Sequence, residues 1–114
     1  MIYLNNWIKD FNGAITVCDR EGIILSMNEK SCKTFAGSGG SSLVGTSLMA
    51  CHPEKAQTMI RELLEKEETN IYTIEKNGKK KLIYQAPWYK DGICEGLVEL
   101  SLEIPHNIPH FVRE

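Results

Sequence analysis

Apolar residues recur along the chain with two different periods. Between residues 2 and 11, Leu4, Trp7, Ile8 and Phe11 fall three and four apart, which predicts a short amphipathic helix ending near Asn12-Gly13. The β-branched runs "AITVC" (14 to 18) and "GIILSM" (22 to 27) flank "DREG", where Gly22 is available for positive φ, and read as a hairpin. Asn28 then stands as the N-cap of a two-turn helix, "EKSCKTFA". "GSGGSS" (37 to 42) breaks regular structure and reads as a flexible loop. No Gly-Lys-Ser/Thr follows it, so it is not a phosphate cradle.

The best helical pattern follows. From Pro53 onward Ala56, Met59, Ile60, Leu63 and Leu64 define one buried face, with Glu62 and Lys66 as a favourable surface pair. Pro53 suits the first helical position and Glu54 the first turn, where the helix dipole favours an acid. The remainder is strand. "NIYTIEK" and "KKKLIYQ" flank Asn77-Gly78, a type I′ hairpin signal that pairs Ile74 with Lys81, Thr73 with Leu82 and Tyr72 with Ile83. In "ICEGLVELSLEI", Cys94, Val98, Leu100, Leu102 and Ile104 alternate with Glu95, Glu99, Ser101 and Glu103, so the apolar set is expected to face the core. "PHNIPHFVRE" carries two prolines and reads as an extended tail.

Length and charge narrow the classes. A chain of 114 residues is one domain that can bury a core without metals or disulfides. The 13 basic and 15 acidic residues are spread along the sequence, for a net charge of -2, which argues against nucleic acid as a partner. No apolar run reaches the roughly 20 residues of a membrane span, and the N-terminus lacks the features of a signal peptide, so a cytoplasmic location is expected. Cysteines 18, 32, 51 and 94 form neither a CxxC nor a zinc-type pair of pairs, and are expected to be reduced thiols.

The order of elements is helix, two strands, short helices with a loop, a longer helix and three strands, an α+β arrangement with an antiparallel sheet. "VCDREGIILSMNEKSCKTF" followed by "SLVGTSLMACHPE" resembles the PAS domain: Asp19, Gly22 and Asn28 fall on that family's "D..G.I...N", and Leu43-Val44-Gly45 on its "L.G". The "CHP" version is similar to PAS domains found with hemerythrin-like modules in some bacterial proteins. The resemblance spans 14–104, leaving 1–13 as an N-terminal amphipathic helix and 105–114 as a tail. It implies a five-stranded antiparallel sheet in the order 2-1-5-4-3, wrapped by helices around a small pocket, and a role in sensing or relaying signals. The chain carries no phosphoacceptor helix and no coiled-coil exit, so signalling is expected to run through a homodimer or a separate partner protein.

The candidate residues follow from these placements. His52 lies four residues before Ala56 and shares the inward stripe, which places its ring at the pocket mouth beside Phe35, Met49, Met59, Ile60 and Leu63, with Tyr84 as a polar neighbour from the sheet. A mostly apolar cavity with one or two polar groups suits a small-molecule ligand. The ring has two readings: a ligand contact, or a cap that hydrogen-bonds a loop carbonyl. Cys51, at a helix start beside His52, is the candidate for a lowered thiol pKa. A small haem- or thiol-based redox sensor using His52 or Cys51 is therefore the rival to a PAS-type module. Flavin chemistry of the light-sensing PAS type implies an Asn-Cys-Arg-Phe-like segment, and "SCKTF" lacks the arginine, which argues against flavin. His106 and His110 are four apart, but Pro105 and Pro109 oppose the helix that a metal pair needs. No nucleophile, base and orienting group can be assembled, so catalysis is not expected. Leu4, Trp7, Ile8 and Phe11 are expected to pack on a sheet, either the chain's own or, as the candidate dimer interface, a partner's; two turns without a basic face make a poor membrane helix.

Overall fold

The computed structural model describes residues 2–114; the side chains of residues 2–5 and of Cys51 lie outside the described residues. The elements are α1 (Ile2–Asp10), β1 (Ala14–Asp19), β2 (Ile24–Met27), α2 (Glu29–Thr34), α3 (Glu54–Lys66), β3 (Asn70–Lys76), β4 (Lys79–Lys90) and β5 (Ile93–Ile104). The strands form one antiparallel sheet in the order β2-β1-β5-β4-β3, the order expected from the sequence. The β3–β4 turn has positive φ at both Asn77 (54°) and Gly78 (77°), and its register pairs Ile74 with Lys81, Thr73 with Leu82 and Tyr72 with Ile83.

Asn28 holds α2 to the sheet. Its Oδ1 accepts from Ser31 N (3.0 Å), the N-cap bond, and from Ile15 N (2.9 Å); its Nδ2 donates to the carbonyls of Ile8 (3.0 Å) and Gly13 (2.8 Å). One buried amide thereby ties α1, β1 and α2 together with all four of its hydrogen-bond positions used. Asp19 closes the β1–β2 turn by accepting from the backbone of Glu21 and Ile23, each at 2.9 Å, and Gly22 adopts φ 83°.

The segment after α2 differs from expectation. Instead of a flexible loop, Ala36–Ser38 and Gly40–Leu43 are short 3-10 turns joined through positive φ at Gly39 and Gly40. The following residues run along the free edge of β2: Gly45 N donates to Ile24 O (2.7 Å), and Ile24 N donates to Thr46 O (2.9 Å). An exposed strand edge is thus covered. A third 3-10 turn, Leu48–Cys51, leads into Pro53, which is the N-cap of α3 and not its first residue, because its ψ of 159° is extended.

One face of α3 (Ile60, Leu63, Leu64) packs with Leu43, Leu48 and Ile24 onto Cys18 and Leu97 of the sheet. That contact decides the faces of β5. Side chains alternate along a strand, so with Leu97 in the core, Glu99 and Ser101 also point toward the helices, and Val98, Leu100, Leu102 and Ile104 point to the opposite face, where they stay half-buried. The expectation that the apolar set of β5 faces the helical core is therefore corrected. Cys94 drops out of phase with that set because the β4–β5 register slips between Trp88 and Tyr89. Gly96 is required nearby: a Cβ there would collide with the Cys18 carbonyl, which accepts the Trp88 indole N–H at 3.0 Å.

Candidate functional site

A cleft of about 480 Å³ opens between the end of α2 and the helix-facing side of β3, β4 and β5. Its wall is Thr34, Phe35 and Ser38, its floor comes from alternate residues of the three strands, and His52 lies at its edge. The register arranges the floor in cross-strand rows. Asn70, Gln85 and Glu99 share one row; Tyr72, Ile83 and Ser101 the next; Ile74, Lys81 and Glu103 the third.

The first row is hydrogen-bonded across the sheet. Asn70 Nδ2 donates to Gln85 Oε1 (3.1 Å), and Gln85 Nε2 donates to Glu99 Oε2 (2.7 Å). Gln85 is buried, so its amide orientation is fixed by these two partners. Partial burial, reinforced by the negative charge of Glu99, pushes the Tyr72 hydroxyl above the usual phenol range. Tyr72 is therefore a neutral hydrogen-bond donor at neutral pH. On the neighbouring strand Thr16 Oγ1 and Ser31 Oγ share a hydrogen bond of 2.6 Å, which joins β1 to α2.

His52 is held by its backbone neighbours. Its Nδ1 lies 2.8 Å from Leu48 O. A carbonyl can only accept, so Nδ1 carries the proton and Nε2 keeps a lone pair in the neutral ring. Gln57 Nε2 secures the same corner by donating to Met49 O (2.8 Å) and His52 O (2.9 Å). The sequence could show that His52 precedes a helix, and the structure adds that the ring braces the preceding 3-10 turn.

Of the seven residues expected around the pocket, the structure brings His52 and Phe35 to this cleft. Ile60 and Leu63 are buried in the core, where α3 needs them. Met49 packs on the core's edge, and Met59 is exposed, with its sulfur 3.2 Å from Asn70 Nδ2. Tyr84 lies on the other face of the sheet, because it pairs with Leu100, one residue out of phase with Ile83 and Ser101. Directly beneath Phe35 and His52 the core is closed, with a void of about 10 Å³ against Leu43, Leu48 and Ile24, about the space of one water. The residues not anticipated are those of the sheet floor, Tyr72, Ile74, Lys81, Ile83, Glu99 and Ser101.

In the candidate interface, Trp7 and Phe11 pack edge to face with ring centroids 5.7 Å apart, and both remain exposed. Ile8 is half-buried, and the Leu4 side chain lies outside the described residues. Phe11, just after α1, and Leu102, on the half-buried apolar face of β5, both lie against Gly13. Cys18, Cys32 and Cys94 are free thiols, and Cys18 is buried, which raises its pKa to about 11. The Cys51 side chain lies outside the described residues. Among the described residues no cluster of three or more His, Cys, Asp or Glu side chains could hold a metal, and no helix is long and apolar enough to cross a membrane. His106 folds back on the β3–β4 turn, with Nε2 3.1 Å from Gly78 O.

No family model matches the chain, and no curated protein matches it. Solved structures do. The PAS domain of an HTR-like protein from Haloarcula marismortui aligns with a TM-score of 0.64 at 16% identity, over 90% of this chain and 90% of that one. The Aer2 receptor of Vibrio cholerae, a dual PAS-heme oxygen sensor, aligns at 0.61 and 15%, over 82% of this chain and 95% of that one. VqmA of Vibrio cholerae, described as a dimer, aligns at 0.71 and 12%, over all of this chain and 57% of its own. With the strand order and the helix placement above, these likenesses define the chain as a PAS fold.

Proposed function

We propose that the chain is a PAS-type sensory module without catalysis of its own, which binds a small ligand between α2 and the sheet and self-associates through α1 and the apolar face of β5. The observation that carries this reading is the cleft. It sets three apolar side chains (Phe35, Ile74, Ile83) among polar and charged ones (Tyr72, Lys76, Lys81, Glu99, Ser101), and its volume is within the range of small-molecule sites. Glu99 is held by Gln85 on the rigid strand floor, which suits the recognition of one ligand shape, and α2, tied to the sheet by Asn28, is suited to pass on a change. Self-association is supported by the exposed Trp7–Phe11 pair beside a row of half-buried apolar side chains.

The experiment is mass spectrometry of small molecules released when the natively purified protein is denatured, for wild type and His52→Ala. If His52 contacts the ligand, the variant releases none while its melting temperature without ligand changes little. If the ring only braces the Leu48 turn, the variant loses about 0.5 to 2 kcal/mol of stability and keeps the ligand. A wild-type protein that releases nothing and binds no added metabolite would refute the ligand-binding reading.

The rival, a haem held by His52, does not fit the residues present. Although Nε2 has the lone pair for it, the apolar space under His52 is about 10 Å³, and the open cleft beside it is floored by Glu99, Lys81, Tyr72 and Ser101, not by the apolar slot that a macrocycle fills.

A further inference from the structure

The chain's net charge is negative, yet five of its 13 basic residues gather at one end of the cleft. Lys76 and Lys81 line the cleft itself; Lys30, Lys33 and Lys79 line the groove that continues from it between α2 and the β3–β4 turn. The acids there are Glu99 and Glu103. Glu103 is taken by Lys79 at 3.5 Å, and among the described residues neither Lys76 nor Lys81 makes an ion pair. Glu99 is in the row of Gln85, four residues along β4 from Lys81, so the two are about 13 Å apart along the strand and do not neutralise one another. Between them lie Tyr72, Ile83 and Ser101, with Phe35 as the wall.

From this arrangement we infer that the cleft selects an amphipathic organic anion, with its carboxylate or phosphate group at Lys76 and Lys81 and its apolar body over Ile83 and Ile74 against Phe35. The inference rests on the cleft being the ligand site. Lys76 and Lys81 line the same slot from one face of the sheet and make no ion pair among the described residues, so an anion that enters it gains from both, and the half-enclosed slot suits a small molecule. Ser101 and Thr34 supply hydroxyls beside them, and Glu99 at the far end disfavours a second negative group there.

The test is titration of the full chain, followed by amide NMR, with benzoate, phenyl phosphate and the neutral analogue benzyl alcohol. Both anions are expected to shift the amides of Phe35, Tyr72, Ile83 and Ser101, more tightly than benzyl alcohol and less so as salt is raised. The double variant Lys76→Gln/Lys81→Gln is expected to weaken the anions about tenfold or more and leave benzyl alcohol unchanged, while Lys90→Gln, outside the cleft, changes neither. A difference between benzoate and phenyl phosphate tells which acid group is preferred. If benzyl alcohol binds the cleft as well as the anions do, and the lysine variant is without effect, the anion inference is overturned while the ligand site stands. If none of the three shifts the cleft amides, both fall. Circular dichroism of the variants verifies that they fold, and the two single lysine variants repeat the comparison if the double variant does not.

Discussion

The side-chain carbonyl of Asn28 accepts the Ile15 backbone N–H at 2.9 Å, thirteen residues away, and the same atom caps α2 through Ser31 N. Local helix capping and the anchoring of that helix to β1 are therefore one interaction. Asn28→Ala removes the cap and leaves the buried Ile15 N–H without a partner, so a loss of about 2 to 4 kcal/mol is expected in urea unfolding. A loss below about 1 kcal/mol would show that the amide is not the anchor.

The Trp88 indole reaches the Cys18 carbonyl because Gly96 has no side chain in the way. Trp88→Phe keeps most of the volume and loses the donor, which is expected to cost about 1 kcal/mol. Gly96→Ala forces the strands apart and is expected to cost about 3 kcal/mol, with loss of the near-ultraviolet dichroism of Trp88. Equal effects from the two substitutions would contradict the steric role of Gly96.

Burial raises the Cys18 thiol from 9.0 to about 11. A buried thiol that stays protonated where the unfolded thiol ionises gives up stability as pH rises: its contribution is intact below pH 9 and declines between pH 9 and about 11. The difference reaches about 2 to 3 kcal/mol at the upper end. Urea unfolding at pH 8 and pH 10.5 is expected to show a steeper decline for wild type than for Cys18→Ala. Parallel slopes would rule out Cys18 as the titrating group.

Trp7 is exposed beside Phe11. If α1 covers a second copy, burial of a side chain of that size contributes roughly 2 to 3 kcal/mol to association, and Trp7→Glu shifts the protein toward monomer in light scattering without unfolding it. A wild type that remains monomeric at high concentration would exclude this surface as an interface.

The readable parts of the fold were those set by local chemistry. Asn77-Gly78 specified its turn and so the register of Tyr72, Ile74, Lys81 and Ile83, and Asn28 specified its cap. The faces of β5 were not readable in this way. Alternation separates Glu99 and Ser101 from Val98 and Leu100, but only Leu97, inserted among Leu43, Leu48 and Ile60, decides which set meets the helices. That choice carried the site with it. From the helix side the sequence leads to His52 and Phe35, which line the cleft, whereas on the sheet it leads to Tyr84, one residue out of phase with Ile83, a difference that moves a side chain through the sheet. The lysines became a cluster only when the β3–β4 turn and α2 came together.

The most direct test of the central claim, that the space between α2 and the sheet holds a small ligand, is native mass spectrometry of wild type and Ser101→Trp after incubation with a metabolite extract. Ser101 is half-buried on the cleft floor, and an indole there fills the cleft from the sheet side without disturbing the Leu97 core. Wild type is expected to carry a small-molecule adduct that disappears on denaturation and is absent from a folded Ser101→Trp. An adduct held equally by both proteins, or by neither, would contradict it.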